Sequence, residues 1–154
     1  MSQSFDYRVF INDLAAAVKE RFGLILIESN SGGDQPDYPF LTYTITSPYL
    51  PVTTDITDDE QFEMVVSFTY HSRSSLDALN ATGSINKFFR SMSTRVDLAK
   101  KNIVVVSVSN AGSRDNLISV EYERVAGFDV RFRVKDTYSD TEGIDTINNV
   151  EITN

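Results

Sequence analysis

Residues 127–134, GFDVRFRV, constrain the fold more than any other stretch of the chain. Phe128, Val130, Phe132 and Val134 alternate with Asp129, Arg131 and Arg133. Successive side chains of a strand point to opposite faces, so this period of two defines a strand with one oily and one charged side. A second stretch repeats the pattern. Phe62, Met64, Val66, Phe68 and Tyr70 mark one face of residues 61–72, while Glu63, Ser67, Thr69 and His71 lie on the other. Strands of this kind need a layer over their apolar side, and two helical periodicities offer one.

Tyr7, Phe10, Leu14, Val18 and Phe22 recur at steps of three and four, which predicts a helix over 5–22. Ser4 is placed to cap it, Asp6 suits its positive end, and Gly23 is its left-handed stop. A second helix is expected from a cap at Ser74 or Ser75 to about Met92, with Leu76, Leu79, Phe88, Phe89 and Met92 as its apolar side. Gly83 inside it costs about 1 kcal/mol relative to alanine, which predicts a kink or close packing there. TRVDLAKK adds a short helical turn. The remaining strands are LILIE (24–28), FLTYTIT (40–46), IVVVSVS (103–109) and LISVEYERV (117–125). Residues 29–39, 47–60 and 110–116 read as loops or turns. IVVVSVS is apolar throughout, which predicts a strand covered on both faces and away from the sheet edge.

The fold class that follows is α+β, a mainly antiparallel sheet with two main helices packed on one face. A length of 154 residues favours a single domain over 1–154, with 136–154 as a loosely specified C-terminal strand built on Ile144, Ile147, Val150 and Ile152.

The two last long strands are expected to pair as a hairpin. A two-residue turn at Ala126–Gly127 would set Tyr122 against Arg131, mixing core with surface. A three-residue loop, Val125–Ala126–Gly127 with Gly127 left-handed, restores the register. Glu121 then faces Arg131, Val120 faces Phe132 and Tyr122 faces Val130. Two readings of the arginines stay open. Either they face glutamates of their own chain, or Arg131, Arg133 and Lys135, with Glu121 and Glu123, form a contact with a neighbouring subunit.

Charge is unevenly spread. The net charge is −8, and residues 1–70 carry 11 acids against 3 bases, whereas residues 87–135 carry 10 bases against 5 acids. An acidic whole argues against a dedicated DNA binder, because phosphate attraction supplies most non-specific affinity. An acidic half and a basic segment in one chain could attract copies of itself. The chain has no cysteine, which excludes disulfides, thiolate metal sites and a cysteine nucleophile. No apolar run approaches the roughly 20 residues of a membrane helix, and the N-terminus lacks a signal-peptide pattern, so a soluble chain made in the cytoplasm is expected. No nucleophile elbow or phosphate-binding loop is present. Asp55, Asp58, Asp59 and Glu60 lack the spacing of a calcium loop and read as a solvated acidic loop. The single histidine, His71, reads as a surface or cross-strand residue. No catalytic residue, cofactor or metal is therefore assigned, and no enzyme activity is expected.

PDYPFLTYTITSPY (36–49) and RDNLISVEYERVAGFDVRFRV (114–134), in the order of elements above, resemble the tail-terminator or neck-terminator proteins of tailed bacteriophages. The run those proteins carry as Glu-Arg-Arg stands here as Glu123–Arg124–Val125. The resemblance implies a structural virion protein at the head–tail junction, assembled in the host cytoplasm. It implies a homo-oligomeric ring, typically a hexamer, that caps the tail tube, ends its polymerisation and joins it to a head-completion or connector protein. Double-stranded DNA would meet it only in passing through the lumen, and no membrane is involved. Asp55, Asp58, Asp59 and Glu60 would line the lumen or rim, where acids repel phosphate. The alternatives are another phage neck, connector or tube component, or a small-ligand-binding or enzymatic α+β domain with a pocket between sheet and helix.

Overall fold

A computed structural model describes residues 4–114 and 123–139. The elements run α1 (Tyr7–Phe22), β1 (Leu26–Glu28), β2 (Phe40–Pro51), β3 (Gln61–Ser72), α2 (Ser75–Arg90), α3 (Met92–Ala99), β4 (Ile103–Ser113) and β5 (Arg124–Lys135). Among the described residues, five strands form one sheet in the order β1-β2-β3-β5-β4. β1 runs parallel to β2, and every other neighbouring pair is antiparallel. This is the expected α+β class.

The oily sides of β3 and β5 share one face. Phe62, Met64, Val66 and Phe68 stand in register with Val134, Phe132, Val130 and Phe128. All eight are buried in one cluster with Phe10, Leu14 and Val18 of α1, Ala78, Ile85 and Phe89 of α2, and Leu98 of α3. Aromatic contacts tie the layers together. The Phe10 ring meets Phe132 edge-on at 5.3 Å, and Phe89 stacks on Phe68 at 5.4 Å. Such pairs add about 0.5–1.5 kcal/mol beyond the area they bury.

Helix ends follow local chemistry. The Asp6 carboxylate accepts from the backbone N–H groups of Arg8 and Val9, so Asp6, rather than Ser4, is the cap of α1. Gly23 adopts φ 68° and its N–H closes on Lys19 O at 2.8 Å, the left-handed stop expected. Ser74 caps α2 through the N–H of Asp77.

Four expectations fail. The buried side of α2 is Ala78, Thr82, Ile85 and Phe89, while Leu76 and Met92 are each 72% exposed. The large side chains suggested a stripe one step round the helix from the one that small residues let approach the sheet. A Cβ at Gly83 would meet nothing within 4 Å, so no close packing explains that glycine. β2 continues through Pro48 to Pro51 instead of ending at 46, with register shifts after Ile45 and Ser47. β1 pairs only with Leu41–Tyr43, so among the described residues the rest of β2 is an edge, where proline is tolerated. Finally, β4 is not covered on both faces, and among the described residues it is an outer strand. Ile103 and Val105 are buried on the helical side, but Val104 and Val106 are each 45% exposed.

The expected hairpin loop is also absent. Val125, Ala126 and Gly127 are interior residues of β5, opposite His71, Tyr70 and Thr69 of β3. β5 pairs with β4 on its other side, Gly127 facing Gly112, and the connection between the two strands spans 114–123. Most of the strand expected over 117–125, and the C-terminal strand beyond 139, lie outside the described residues.

Candidate functional site: the open face of the sheet

The side of the sheet away from the helices carries the polar residues of the alternating strands, and cross-strand neighbours join them into three clusters. In the first, Glu63 of β3 is shared by two arginines of β5. Arg131 Nη1 donates to Glu63 Oε1 at 3.0 Å, and Arg133 donates to Oε2 from Nε at 3.0 Å and Nη2 at 2.8 Å. Glu63 is 8% exposed, whereas both guanidinium groups reach solvent. Two positive charges on one carboxylate leave this patch with a surplus of one.

In the second cluster, Arg114 reaches across β5. Its Nη1 donates to Ser67 Oγ at 2.6 Å and Thr69 Oγ1 at 3.2 Å, and its Nη2 to Asp129 Oδ1 at 3.0 Å. Gly127 makes room for this. A Cβ there would lie 2.9 Å from Arg114 Cζ and 2.3 Å from Phe68 O. The glycine serves a close approach rather than a left-handed turn.

The third cluster is built on His71. Its ring stacks on Phe40 at 4.6 Å with the planes 5° apart. Nδ1 donates to the Glu123 carboxylate, and Nε2 lies 3.0 Å from Thr42 Oγ1. The histidine is a cross-strand residue with both ring nitrogens engaged.

The acidic loop lies at the end of the sheet where β3 begins and β5 finishes. Asp55, Asp58 and Asp59 are exposed, but Glu60 is 5% exposed and accepts from the Tyr49 hydroxyl. That hydrogen bond, with burial and the Glu60 charge behind it, pushes the Tyr49 phenol up to about 12. The loop is fastened to the chain after β5, through Asp59 N–H to Tyr138 O at 3.0 Å and Asp136 N–H to Glu60 O at 2.7 Å. Lys135, opposite Gln61, is exposed at the same end.

The structure thus brings Arg131 and Arg133 together, but around Glu63. Arg131 lies between Val65 and Ser107, so both its cross-strand positions are filled and the expected facing by Glu121 does not occur. Glu121 itself lies outside the described residues, and Glu123 is engaged with His71. Sequence reasoning missed Glu63 and Arg114. The signal for Glu63 was a lone acid on the polar side of a strand whose partner has two bases on its own polar side.

Among the described residues, no cluster of three or more His, Asp or Glu is placed to hold a metal ion, and no helix is long and apolar enough to cross a membrane. Two clefts open on the helical side. One, of about 770 Å³, lies between α1, α2 and α3 beside Phe22 and Phe88, with Arg21, Lys87, Lys100 and Lys101 on its rim. The other, of about 480 Å³, lies between α1 and the β1–β2 region. His71 lines neither.

The described residues define an α+β protein whose sheet is covered by helices on one face and carries ion pairs on the other. The chain belongs to the phage neck terminator protein family, whose model matches residues 12–154. It is therefore a structural protein of the bacteriophage neck. A search of curated proteins gives no match.

Proposed function

We propose that the protein forms a ring, with six copies the expected number, that caps the tail tube and ends its polymerisation. The same ring joins the tube to the head-completion or connector protein, and double-stranded DNA passes through its lumen. The observation that carries this reading is the open sheet face with its surplus positive charge at Arg131 and Arg133, in a chain of the neck terminator family.

A closed ring uses two different patches of each subunit. The basic patch of Arg131, Arg133 and Lys135 is one; Glu123 stands at the other end of β5, beside His71. Glu63 holds the two arginines in place, and their remaining donors are turned to a neighbour. The exposed acids Asp55, Asp58 and Asp59 line the lumen or its rim, where like charge keeps phosphate from sticking. Glu60, beneath Tyr49, shapes that loop instead of presenting its charge. The role needs no catalysis, cofactor or metal, and its place is the neck of the virion.

Electron microscopy of particles made without the protein tests the function. Over-long or headless tails are expected, and normal tails with full infectivity would sink the proposal. Lys135→Glu tests the interface without touching the Glu63 pairs. An unchanged melting temperature with at least ten-fold less incorporation into necks is the expected result; unchanged incorporation counts against this patch.

A further inference from the structure

Among the described residues, nothing in the subunit accounts for the outer stripe of α2. Leu76, Leu79 and Gly83 recur at steps of three and four, so they share one side of the helix. At 3.6 residues per turn that side lies opposite the buried Ala78, Thr82, Ile85 and Phe89. Leu76 is 72% and Leu79 42% exposed. Gly83 weakens the helix, yet a Cβ there would meet nothing within 4 Å. A single exposed leucine needs no explanation. Two on one stripe, beside a glycine that makes room for nothing inside the subunit, do need one. Glycine is the residue that lets another backbone approach closely.

The open face of the sheet carries the matching chemistry. Val104, 45% exposed, stands opposite Arg133 of β5. Val106 is equally exposed, in the bulge between Val105 and Ser107. The two valines border the patch where Arg131 and Arg133 share one carboxylate. Arg133 donates to Glu63 from Nε and Nη2, which leaves Nη1 for another acceptor. On α2, Asp77 is the one charged residue between Ser74 and Asn86, and it is exposed beside Leu76. One surface offers apolar side chains with an acid, and the other offers apolar side chains with a surplus of positive charge.

We propose that the Leu76, Leu79 and Gly83 stripe of one copy packs on the open sheet face of the next, against Val104 and Val106, with Asp77 toward Arg133. This supplies the second patch of the ring and rests on the ring reading. The two patches lie on opposite sides of the subunit. α2 covers one face of the sheet, while Val104 and Arg133 stand on the other. One subunit therefore cannot bring its own patches together, and the contact between copies is head-to-tail, the kind that closes into a ring. Gly83 lets the helix backbone settle on the valines, where a larger side chain would hold it off.

The sharpest variant is one that helps the subunit and harms the contact. Gly83→Gln places a better helix former on an open helix surface, so the isolated chain should melt at or above the native temperature. Supplied to an infection lacking the native protein, it should enter necks at least ten-fold less. Undiminished entry overturns the proposal. The chain contains no cysteine, so introduced thiols report without background. Leu79→Cys and Val104→Cys are supplied in the same way, singly and together, and purified neck-bearing particles are oxidised. Both changes in one chain should give a ladder of covalent multimers on a non-reducing gel, and a mixture of the two single variants should give dimers. Each single variant alone should stay monomeric. Intact necks that show no ladder overturn the contact and leave the ring standing. Dimers from Leu79→Cys alone show two α2 helices meeting, and its cross-link to a different virion protein shows another occupant; either overturns the proposal. One copy per neck by quantitative mass spectrometry removes the ring reading and this contact with it.

Discussion

Replacing Glu63 by glutamine removes one negative charge from between two positive ones. The carboxylate accepts three charge-assisted hydrogen bonds, one from Arg131 and two from Arg133. Each such bond contributes about 1.5–3 kcal/mol where the groups are dry. Here the arginine side chains are 44% and 41% exposed, so water replaces much of what they lose, and glutamine keeps one acceptor. A cost of about 2 kcal/mol is expected, well above the 0–1 kcal/mol of a surface pair. For a chain of this length that lowers the melting temperature by about 4–8 °C. Urea titration followed by circular dichroism measures it directly. The single changes on the other side should be milder, with Arg131→Gln costing about 0.5 kcal/mol and Arg133→Gln about 1 kcal/mol, because one base remains paired in each. Adding Arg131→Gln to Glu63→Gln should cost almost nothing further, since it relieves two facing guanidinium groups. A Glu63→Gln protein as stable as the native one, or strictly additive costs, would refute the shared-carboxylate argument.

The two unusual glycines should respond oppositely to alanine. Gly127→Ala drives a Cβ to 2.3 Å from Phe68 O and against the Arg114 guanidinium, and a loss of about 3 kcal/mol is expected by urea titration. Gly83→Ala fills open space on a helix and should raise the melting temperature by about 2–4 °C, near 1 kcal/mol. Tyr49 makes a pH-dependent contribution. Its phenol is raised from 10 to about 12 by the bond to Glu60, so the stabilisation is whole below pH 10 and is lost as pH climbs through about 12. The stability gap between native and Tyr49→Phe protein should therefore narrow from pH 10 upward; a gap constant to pH 11.5 would contradict it.

The layer structure was readable because its signals are local. The period-two patterns of β3 and β5, the three-four spacing of Phe10, Leu14 and Val18, and Gly23 as a stop each need only neighbouring residues. What failed depended on who sits beside whom. Nothing within 124–135 tells that β5 lies between β3 and β4, so Gly127 looked like a turn residue and Glu121 like the partner of Arg131. The same blindness hid Glu63, which meets the arginines across 68 and 70 positions of chain. For β4, uniform apolarity carried no information on burial. That Val104 and Val106 are exposed while Ile103 and Val105 are buried follows only from the place of β4 in the sheet and the helical cover on one face.

Arg114 and Glu123 stand at either end of the connection between β4 and β5. One is tied to Ser67, Thr69 and Asp129, and the other to His71. Three of these four anchors belong to β3, the middle strand. A pull on that connection therefore does not unzip an outer hairpin from its tip. Part of the load passes through these side chains into β3 before it reaches the backbone pairing of β4 with β5.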